Sequence, residues 1–286
     1  MIDVVDSLTA LRERIAGWKR EGLRVAFVPT MGNLHAGHHA LVRLARQHAD
    51  RVVASVFVNP TQFGPHEDFD RYPRTPEQDA AGLQEAGCDL LWLPSVDTMY
   101  PFGPANAVQM RVPGITDILD GAHRPGHFDG VVTVVSRLLN QVQPDVAVFG
   151  RKDYQQLAVV RYFVRDLAFP VEIVGADIVR ADDGLALSSR NQYLSPEQRA
   201  QAPELQRSLQ QLRDALLAGQ PLARAQGDAI ARLQAAGFVV DYVVVHQATL
   251  AAFADGQGGD LVALAAARQG STRLIDNLEF TLPDAR

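Results

Sequence analysis

From Leu23 onward, short runs rich in β-branched residues alternate with amphipathic stretches. The runs that predict strands are LRVAFVP (23–29), RVVASVFV (51–58), CDLLWLP (88–94), DVAVFG (145–150) and VEIVGADIVR (171–180). The spacing of apolar residues predicts helices near 36–48, 76–87, 128–142 and 153–167. A repeated order of strand and then helix is typical of a parallel sheet with helices on both faces. The pattern therefore predicts an α/β fold, a doubly wound parallel sheet that binds ligands at the carboxyl ends of its strands.

The pattern changes near Ala181. Ser195-Pro196-Glu197 has the form of a helix N-cap followed by proline at the first helical position, and it predicts a long amphipathic helix. After it come a helix near 222–236, the strand patterns FVVDYVVV (238–245) and LVALAAA (261–267), and the tail TRLIDNLEF (272–280). We expect a larger domain over 1–182 and a smaller α+β domain over 183–286.

Composition and charge narrow the class of protein. The chain has 286 residues, of which 47% are hydrophobic, so it can bury a sizeable core. Its formal net charge of -6 disfavours nucleic acid, whose binding needs a clustered excess of cations. The lone cysteine, Cys88, allows no intrachain disulfide and favours a cytoplasmic protein, and beside an apolar strand it is expected to be buried.

Neither export nor membrane insertion is expected. The N-terminal segment carries acids and an amphipathic spacing where a secretory signal has basic residues followed by an apolar run. The longest apolar stretches reach about six residues, against the ~20 that cross a bilayer.

Two histidines follow the first long strand, in the segment TMGNLHAGH (30–38). His35 and His38 would share one face at the start of a helix, where N–H groups and the dipole favour phosphate oxygens. Caps or core filler are the alternative for an arbitrary His-x-Gly-His, but the position directly after a strand favours phosphate binding. A zinc pair is less favoured, because a third ligand is not evident and His39 would point away.

Amides and an aromatic residue follow the second long strand. Asn59 and Gln62 stand where that strand meets a loop, so they could bind a carboxylate or hydroxyls, although Asn-Pro also starts ordinary turns. In the charged loop that comes next, most charges are expected to be solvated. Tyr72 and Asp79 are candidates for lining a site.

A loop containing Pro-Gly carries Arg124 and His127 into the helix near 128–142. Arg124 could pair with a substrate carboxylate in bidentate geometry, and His127 could bind a polar group beside it. An exposed arginine and a capping histidine explain the same residues nearly as well.

The strand DVAVFG ends in Gly150, and Lys152, Asp153 and Gln156 follow in a second turn from strand to helix. Asp153 could cap the helix or accept hydrogen bonds from a ribose, Lys152 could meet phosphates, and Gln156 would face the same cleft. Capping alone leaves the adjacent lysine unexplained.

Two hydroxyls and a guanidinium stand together in Ser188-Ser189-Arg190. This combination suits phosphate. An ordinary polar loop ahead of the Ser195 cap is an equally good interpretation.

In chain order, these segments resemble the pantothenate synthetase family, part of the nucleotidyl-transferring superfamily with the His-x-Gly-His signature. The motifs that carry the resemblance are VPTMGNLHAGH (28–38), VFVNPTQF (56–63), RYPRT (71–75), HRPGHFDGVVTVV (123–135), FGRKDYQQL (149–157), DGLALSSRNQYLS (183–195) and TRLIDN (272–277). They cover nearly the whole chain. His66 and Glu67 fall in a stretch that varies in the family and are assigned no role, and Val244-Val245-His246 replaces a more acidic pattern.

The resemblance implies a Rossmann-like first domain, a smaller C-terminal domain acting as a lid, a homodimer, and a ligase that joins pantoate to β-alanine with Mg²⁺ and ATP through a pantoyl-adenylate. It implies catalytic roles for His35, His38, Lys152, Ser188, Ser189 and Arg190. The ATP-binding residues it implies are Met31, His38, Gly150, Lys152, Asp153, Val179, Leu187, Ser188, Ser189 and Arg190. Those for the other substrates are Gln62, Gln156, Asn59, Met31, Tyr72, Arg124 and His127, and protein ligands of the metal stay undefined.

Two other functions compete with this one. Another nucleotidyltransferase of the same superfamily, which keeps the nucleotide on its product, shares the histidine and Ser-Ser-Arg segments. A non-catalytic nucleotide-binding protein on the same fold is less favoured, because the phosphate-binding side chains are all present.

Overall fold

The computed structural model describes residues 2–64 and 69–283, and His66 and Glu67 lie outside them. Contacts divide the chain into two units. The first contains the described residues up to Arg151 together with Val159–Asp177, and the second contains Lys152–Ala158 and the described residues from Ile178 onward.

The first unit is built on a parallel sheet. Its strands are β1 (Asp3–Val5), β2 (Val25–Thr30), β3 (Arg51–Val56), β4 (Leu90–Trp92), β5 (Val146–Gly150) and β6 (Glu172–Ala176), in the spatial order β1-β4-β3-β2-β5-β6. All five pairings are parallel, and Val25–Thr30 runs in continuous register with Arg51–Val56. The strand order reverses at β2, so β5 lies on its other side. Such a reversal is where doubly wound sheets bind ligands.

The helices of the described chain up to Asp166 are α1 (Leu8–Arg20), α2 (Ala36–His48), α3 (Pro76–Glu85), α4 (Val96–Met99), α5 (Asp120–His123), α6 (His127–Val142) and α7 (Tyr154–Asp166). Three-residue 3₁₀ turns lie at Pro60–Gln62 and Pro104–Asn106. The sheet is apolar on both faces, since Val25, Ala26, Phe27 and Val28 are all fully buried. That is why β2 reads as a continuous apolar run and not as an alternating one.

The second unit packs helices on an antiparallel sheet. Its elements beyond the first turn of α7 are a 3₁₀ helix (Ser189–Tyr193), α8 (Pro196–Gln201), α9 (Glu204–Leu217), α10 (Leu222–Ala235), β7 (Phe238–Gln247), β8 (Gly259–Gln269) and β9 (Thr272–Leu282). The three strands lie in the order β7-β8-β9. Leucines of α9 and α10 pack on the alanine-rich centre of β8.

Two sequence predictions need correction. The long helix expected from Ser195 is two helices, because Pro203 follows Gln201 and Ala202 and cannot donate the next helical hydrogen bond. The strand expected over 171–180 ends at Ala176, and Arg180 pairs instead with Ala186 in a short antiparallel bridge. Among the described residues, no helix has both the length and the apolar character to cross a membrane.

Candidate active site

The loop between β2 and α2 is shaped by a carboxylate from α3. Asp79, only 2% exposed, accepts the backbone N–H of Asn33 at 3.0 Å and that of Leu34 at 2.8 Å. The loop turns through positive φ at Gly32 (85°) and Asn33 (51°), and a Cβ at Gly32 would meet Val56 at 2.9 Å. Asp79, a candidate for lining a site, thus fixes the turn that leads to the histidines.

His35 and His38 occupy the first turn of α2 with their ring centroids 4.2 Å apart. His35 is the N-cap residue, and its Nδ1 accepts the N–H of Gly37 at 3.1 Å. His38 Nδ1 accepts the N–H of His35 at 3.3 Å. Because a nitrogen that accepts a hydrogen bond carries no proton, both rings hold their proton on Nε2. Capping and phosphate binding are therefore compatible, since the cap uses Nδ1 and gives each ring an Nε2–H donor.

His39 is placed away from this pair. A Cβ at Gly82 of α3 would come within 2.5 Å of its Nε2, so the ring packs against that helix. Burial, followed by the positive charge of Arg43, lowers the pKa of His39 and favours the neutral ring. Among residues 2–64 and 69–283, no group of three His, Cys, Asp or Glu side chains could hold a metal ion.

Asn59 and Gln62 flank the 3₁₀ turn after β3. Asn59 caps this turn, its Oδ1 accepting the N–H of Thr61 at 3.4 Å, and its Nδ2 donates to Gln62 Oε1 at 3.0 Å. Gln62 Nε2 in turn donates to Met31 Sδ at 3.1 Å. The structure thus brings together Met31, Asn59 and Gln62, which the resemblance assigns to substrate.

Helix α6 approaches this turn closely at a glycine. A Cβ at Gly130 would lie 2.3 Å from the carbonyl oxygen of Thr61, so a side chain is excluded there. The Gly130 carbonyl accepts from Asn59 Nδ2 at 3.2 Å. Glycine at this position therefore lets the backbone of α6 hold the Asn59 amide.

Arg124 and His127 lie at the amino end of α6 and contact each other. His127 Nδ1 is 2.9 Å from the carbonyl oxygen of Gln62, and its Nε2 is 2.9 Å from Arg124 Nη1. A carbonyl only accepts and a guanidinium only donates, so His127 carries its proton on Nδ1 and accepts from Arg124 on Nε2. His127 thus ties the guanidinium to the turn that carries Gln62.

Tyr72 is buried beside the same turn. Its ring packs edge-on against Phe63 with centroids 5.9 Å apart. This aromatic contact is consistent with packing as well as with lining a site.

In the second unit, Lys152 and Asp153 precede α7. The Asp153 carbonyl accepts the first helical hydrogen bond, from the N–H of Leu157 at 2.9 Å, and Asp153 itself is exposed. Asn277 of β9 donates from Nδ2 to the Lys152 carbonyl at 2.9 Å. Gln156, one turn into α7, is half-buried.

Val179 and Leu187 are neighbours in a short antiparallel ladder. The N–H of Leu187 donates to the Val179 carbonyl at 2.9 Å. Ser188 then caps the 3₁₀ helix Ser189–Tyr193, accepting the N–H of Arg190 on its hydroxyl at 3.3 Å. The ladder and the cap together position the Ser-Ser-Arg segment.

A buried ion pair that was not expected from the sequence braces this ladder. Arg180 donates to both carboxylate oxygens of Asp276 at 2.6 and 2.8 Å. Asp276 is 3% exposed, and its neighbour Asn277 holds Lys152. The sequence signal was available: two polar residues interrupt the apolar strand in TRLIDN, which carried the resemblance but received no role.

The candidate side chains of each unit are mainly hydrogen-bond donors. The first unit offers the Nε2–H groups of His35 and His38 and the Gln62 amide, and the second offers an ammonium, two hydroxyls and a guanidinium. Donors of this kind suit anionic ligands. These donors follow β2 and β5 in the chain. Doubly wound α/β proteins with donors at such positions form a class that binds anionic nucleotides or acids.

Comparison with known proteins narrows this class. A family model described as pantoate-beta-alanine ligase matches residues 3–279. A protein of Stenotrophomonas maltophilia named pantothenate synthetase is 66% identical over 98% of this chain and 100% of its own length. One of the same name from Xanthomonas axonopodis pv. citri is 64% identical over the same shares.

Solved structures of the same family are also similar to this chain. Pantothenate synthetase from Thermus thermophilus superposes with a TM-score of 0.90 at 51% identity, covering 97% of this chain and 99% of that one. A pantoate-beta-alanine ligase from Francisella tularensis, described as complexed with beta-gamma ATP and beta-alanine, gives 0.82 at 30% identity, covering 97% of each chain. The chain belongs to the pantoate-beta-alanine ligase family.

Proposed function

We propose that this protein is an AMP-forming ligase that condenses pantoate with β-alanine in two steps at the expense of ATP. The observation that carries the proposal is the pair of imidazoles at the first turn of α2, whose capping bonds put both protons on Nε2. Membership of the family supports the choice of substrates.

In the first step, a pantoate carboxylate oxygen attacks the α-phosphorus of ATP. The new O–P bond forms as the bond from the α-phosphorus to the bridging oxygen breaks, and pyrophosphate leaves. Negative charge grows on that bridging oxygen, so donors fixed in advance around the phosphates lower the barrier. We assign this role to His35, His38 and Lys152, with Ser188, Ser189 and Arg190 as further phosphate contacts.

Different residues are proposed to bind the pantoate and the nucleoside of ATP. Gln62 and Gln156 bind pantoate, with Met31, Asn59 and Tyr72 lining its pocket. Asp153 and Gly150 meet the ribose, and Val179 and Leu187 the remainder of the nucleoside.

In the second step, the amine of β-alanine attacks the acyl carbon of the pantoyl-adenylate. The C–N bond forms, the bond from the acyl carbon to the phosphate oxygen breaks, and AMP departs while the amine loses its proton. A carboxylate is a poor acyl donor, and adenylation supplies the good leaving group. Arg124 and His127 are proposed on the β-alanine side, where a guanidinium suits the carboxylate of that substrate.

Mg²⁺ is proposed as the ion that accompanies the ATP phosphates. The described residues include no cluster of three His, Cys, Asp or Glu side chains that could cage it. Mg²⁺ bound to nucleotides commonly keeps phosphate oxygens and waters as its ligands.

The family resemblance also supports a homodimer and a cytoplasmic location. A single cysteine without a disulfide partner is consistent with that compartment. Analytical ultracentrifugation at micromolar concentration tests the dimer, which a sedimenting mass of one chain would contradict.

The rival functions differ in their products. With pantoate, β-alanine and Mg-ATP, the ligase forms AMP, pyrophosphate and a new amide in equal amounts, and AMP accumulates only when β-alanine is present. A nucleotidyltransferase would instead leave a stable nucleotidyl ester, and a binding protein would leave ATP intact. Mass spectrometry of the complete mixture and of mixtures lacking one substrate separates the three.

A further inference from the structure

Tyr100, the C-cap residue of α4, is buried next to the 3₁₀ turn Pro60–Gln62. The residue is 1% exposed, and its hydroxyl donates to Asn59 Oδ1 at 2.7 Å and lies 3.2 Å from the Thr61 hydroxyl. The Arg137 guanidinium stacks over its ring at 5.0 Å. Burial raises the pKa of Tyr100, so the phenol keeps the proton that it donates.

The Asn59 amide that receives this hydrogen bond can adopt one orientation only. Its oxygen faces the N–H of Thr61, which can only donate, and its nitrogen faces the carbonyl of Gly130, which can only accept. Asn59 is 1% exposed, so a flipped amide would leave buried groups unpaired.

The orientation of Asn59 determines that of Gln62. Asn59 Nδ2 uses its second N–H to donate to Gln62, so the Gln62 atom that faces it must be the oxygen, Oε1. Gln62 Nε2 is then directed to Met31 Sδ, at 3.1 Å. The thioether sulfur of Met31 is a weak acceptor. A carboxylate or hydroxyl oxygen of a bound ligand would therefore readily take its place as the acceptor for Gln62 Nε2–H.

We propose that Tyr100 is a positioning residue for the substrate acid: through Asn59 it holds Gln62 with only N–H donors presented, so that the site selects an acceptor oxygen of pantoate. The inference rests on the proposed function. Tyr100 itself lies two hydrogen bonds from Gln62, and so three from the substrate, and contributes no group to the reaction. It lies 41 residues from Asn59 in the chain, in a segment to which no site residue was assigned.

Replacing Tyr100 by phenylalanine tests the proposal. The ring is kept while the hydroxyl is lost. Asn59 Oδ1 then keeps only its longer hydrogen bonds, from the Thr61 hydroxyl at 3.1 Å and the Thr61 N–H at 3.4 Å, so the Asn59 amide holds its orientation less tightly and the Gln62 amide becomes less well ordered. We expect the KM for pantoate to rise about tenfold, the effect of roughly one hydrogen bond, with the KM for ATP within about twofold of wild type. Equal changes in both constants, or no change in either, would overturn the role.

Two control variants separate positioning from lost stability. Ile15→Val removes one buried methylene from α1, with a stability cost of about 1 kcal/mol that matches a lost hydrogen bond. Tyr162→Phe removes an exposed hydroxyl from α7. Both should keep the wild-type KM for pantoate. An Ile15→Val enzyme with the same rise in KM as Tyr100→Phe would assign the effect to stability alone.

A double-mutant cycle with Gln62→Met tests whether Tyr100 acts through Gln62. If it does, Tyr100→Phe lowers kcat/KM for pantoate about tenfold in wild type but less than about twofold in the Gln62→Met background. Full additivity would contradict the inference. Failure of the proposed function would be distinct, because wild type itself would then form no pantothenate.

Discussion

The imidazole rings of His35 and His38 lie 4.2 Å apart, and Nδ1 of each accepts a backbone N–H from the first turn of the same helix. The helix cap thus selects the tautomer, so that both rings present Nε2–H as a donor. One pair of residues therefore caps the helix and, in the proposed function, also binds phosphate.

His38→Asn separates these two roles. The amide oxygen of the introduced side chain can replace Nδ1 in accepting the N–H of His35, whereas nothing replaces the Nε2–H donor. We expect adenylate formation to fall by about 10²–10³-fold, as for loss of one preorganised donor, with little change in the urea midpoint. His48→Asn, at the other end of α2, should leave both unchanged. A His38→Asn enzyme with wild-type turnover would remove the histidine from the mechanism.

Asp79→Asn tests the support of the loop. An Asn side chain supplies one acceptor where Asp79 supplies two, so the N–H of Asn33 or of Leu34 loses its partner. The free energy of unfolding should fall by about 1–3 kcal/mol, the cost of a buried unpaired group. Glu77→Gln changes an exposed acid of the same helix and should change stability by less than about 0.5 kcal/mol. Equal midpoints for the two variants in urea would show that Asp79 does not hold the loop.

Asp276→Ala tests the brace in the second unit. Its loss leaves the largely buried Arg180 guanidinium without its bidentate partner, and we expect a loss of about 3 kcal/mol in unfolding free energy. The matched control is Asp214→Ala on α9, whose carboxylate is exposed although it pairs with Arg213. That change should stay within about 0.5 kcal/mol. Similar urea denaturation curves for the two variants would argue against the brace.

Cys88 makes stability depend on pH. Burial raises the pKa of its thiol to about 12, whereas the unfolded thiol ionises near 9.0. Its contribution to stability is complete below pH 9 and is lost as the pH rises toward 12. Between pH 8 and 10 the wild type should lose about 1 kcal/mol more than Cys88→Ala. Urea unfolding at the two pH values measures this, and parallel losses would place the thiol in contact with solvent.

Much of the fold followed from the sequence. The α/β class is confirmed, because buried parallel strands such as β2 form continuous apolar runs between helical patterns. The expected burial of Cys88 is confirmed too. The break at Pro203 could have been predicted from the proline alone, whereas the domain boundary at residue 182 and the roles of the site residues stay predictions.

The supporting contacts could not be found by reading motifs, although Asp79 itself was a candidate for lining a site. Tyr100 and Asp79 form hydrogen bonds with partners 41 and 46 residues away in the chain, and these partners are defined only once the chain has folded. Motif spacing identifies groups that share one turn, such as His35 and His38. It does not identify side chains that contact the turn from another helix or strand.

The pantoyl-adenylate is the central claim, and exchange of labelled pyrophosphate into ATP tests it most directly. Without β-alanine, the wild-type protein should exchange pyrophosphate only when pantoate is added, and His38→Asn should lose this exchange. Exchange that does not require pantoate, or its absence in a protein that still forms pantothenate, would contradict the account.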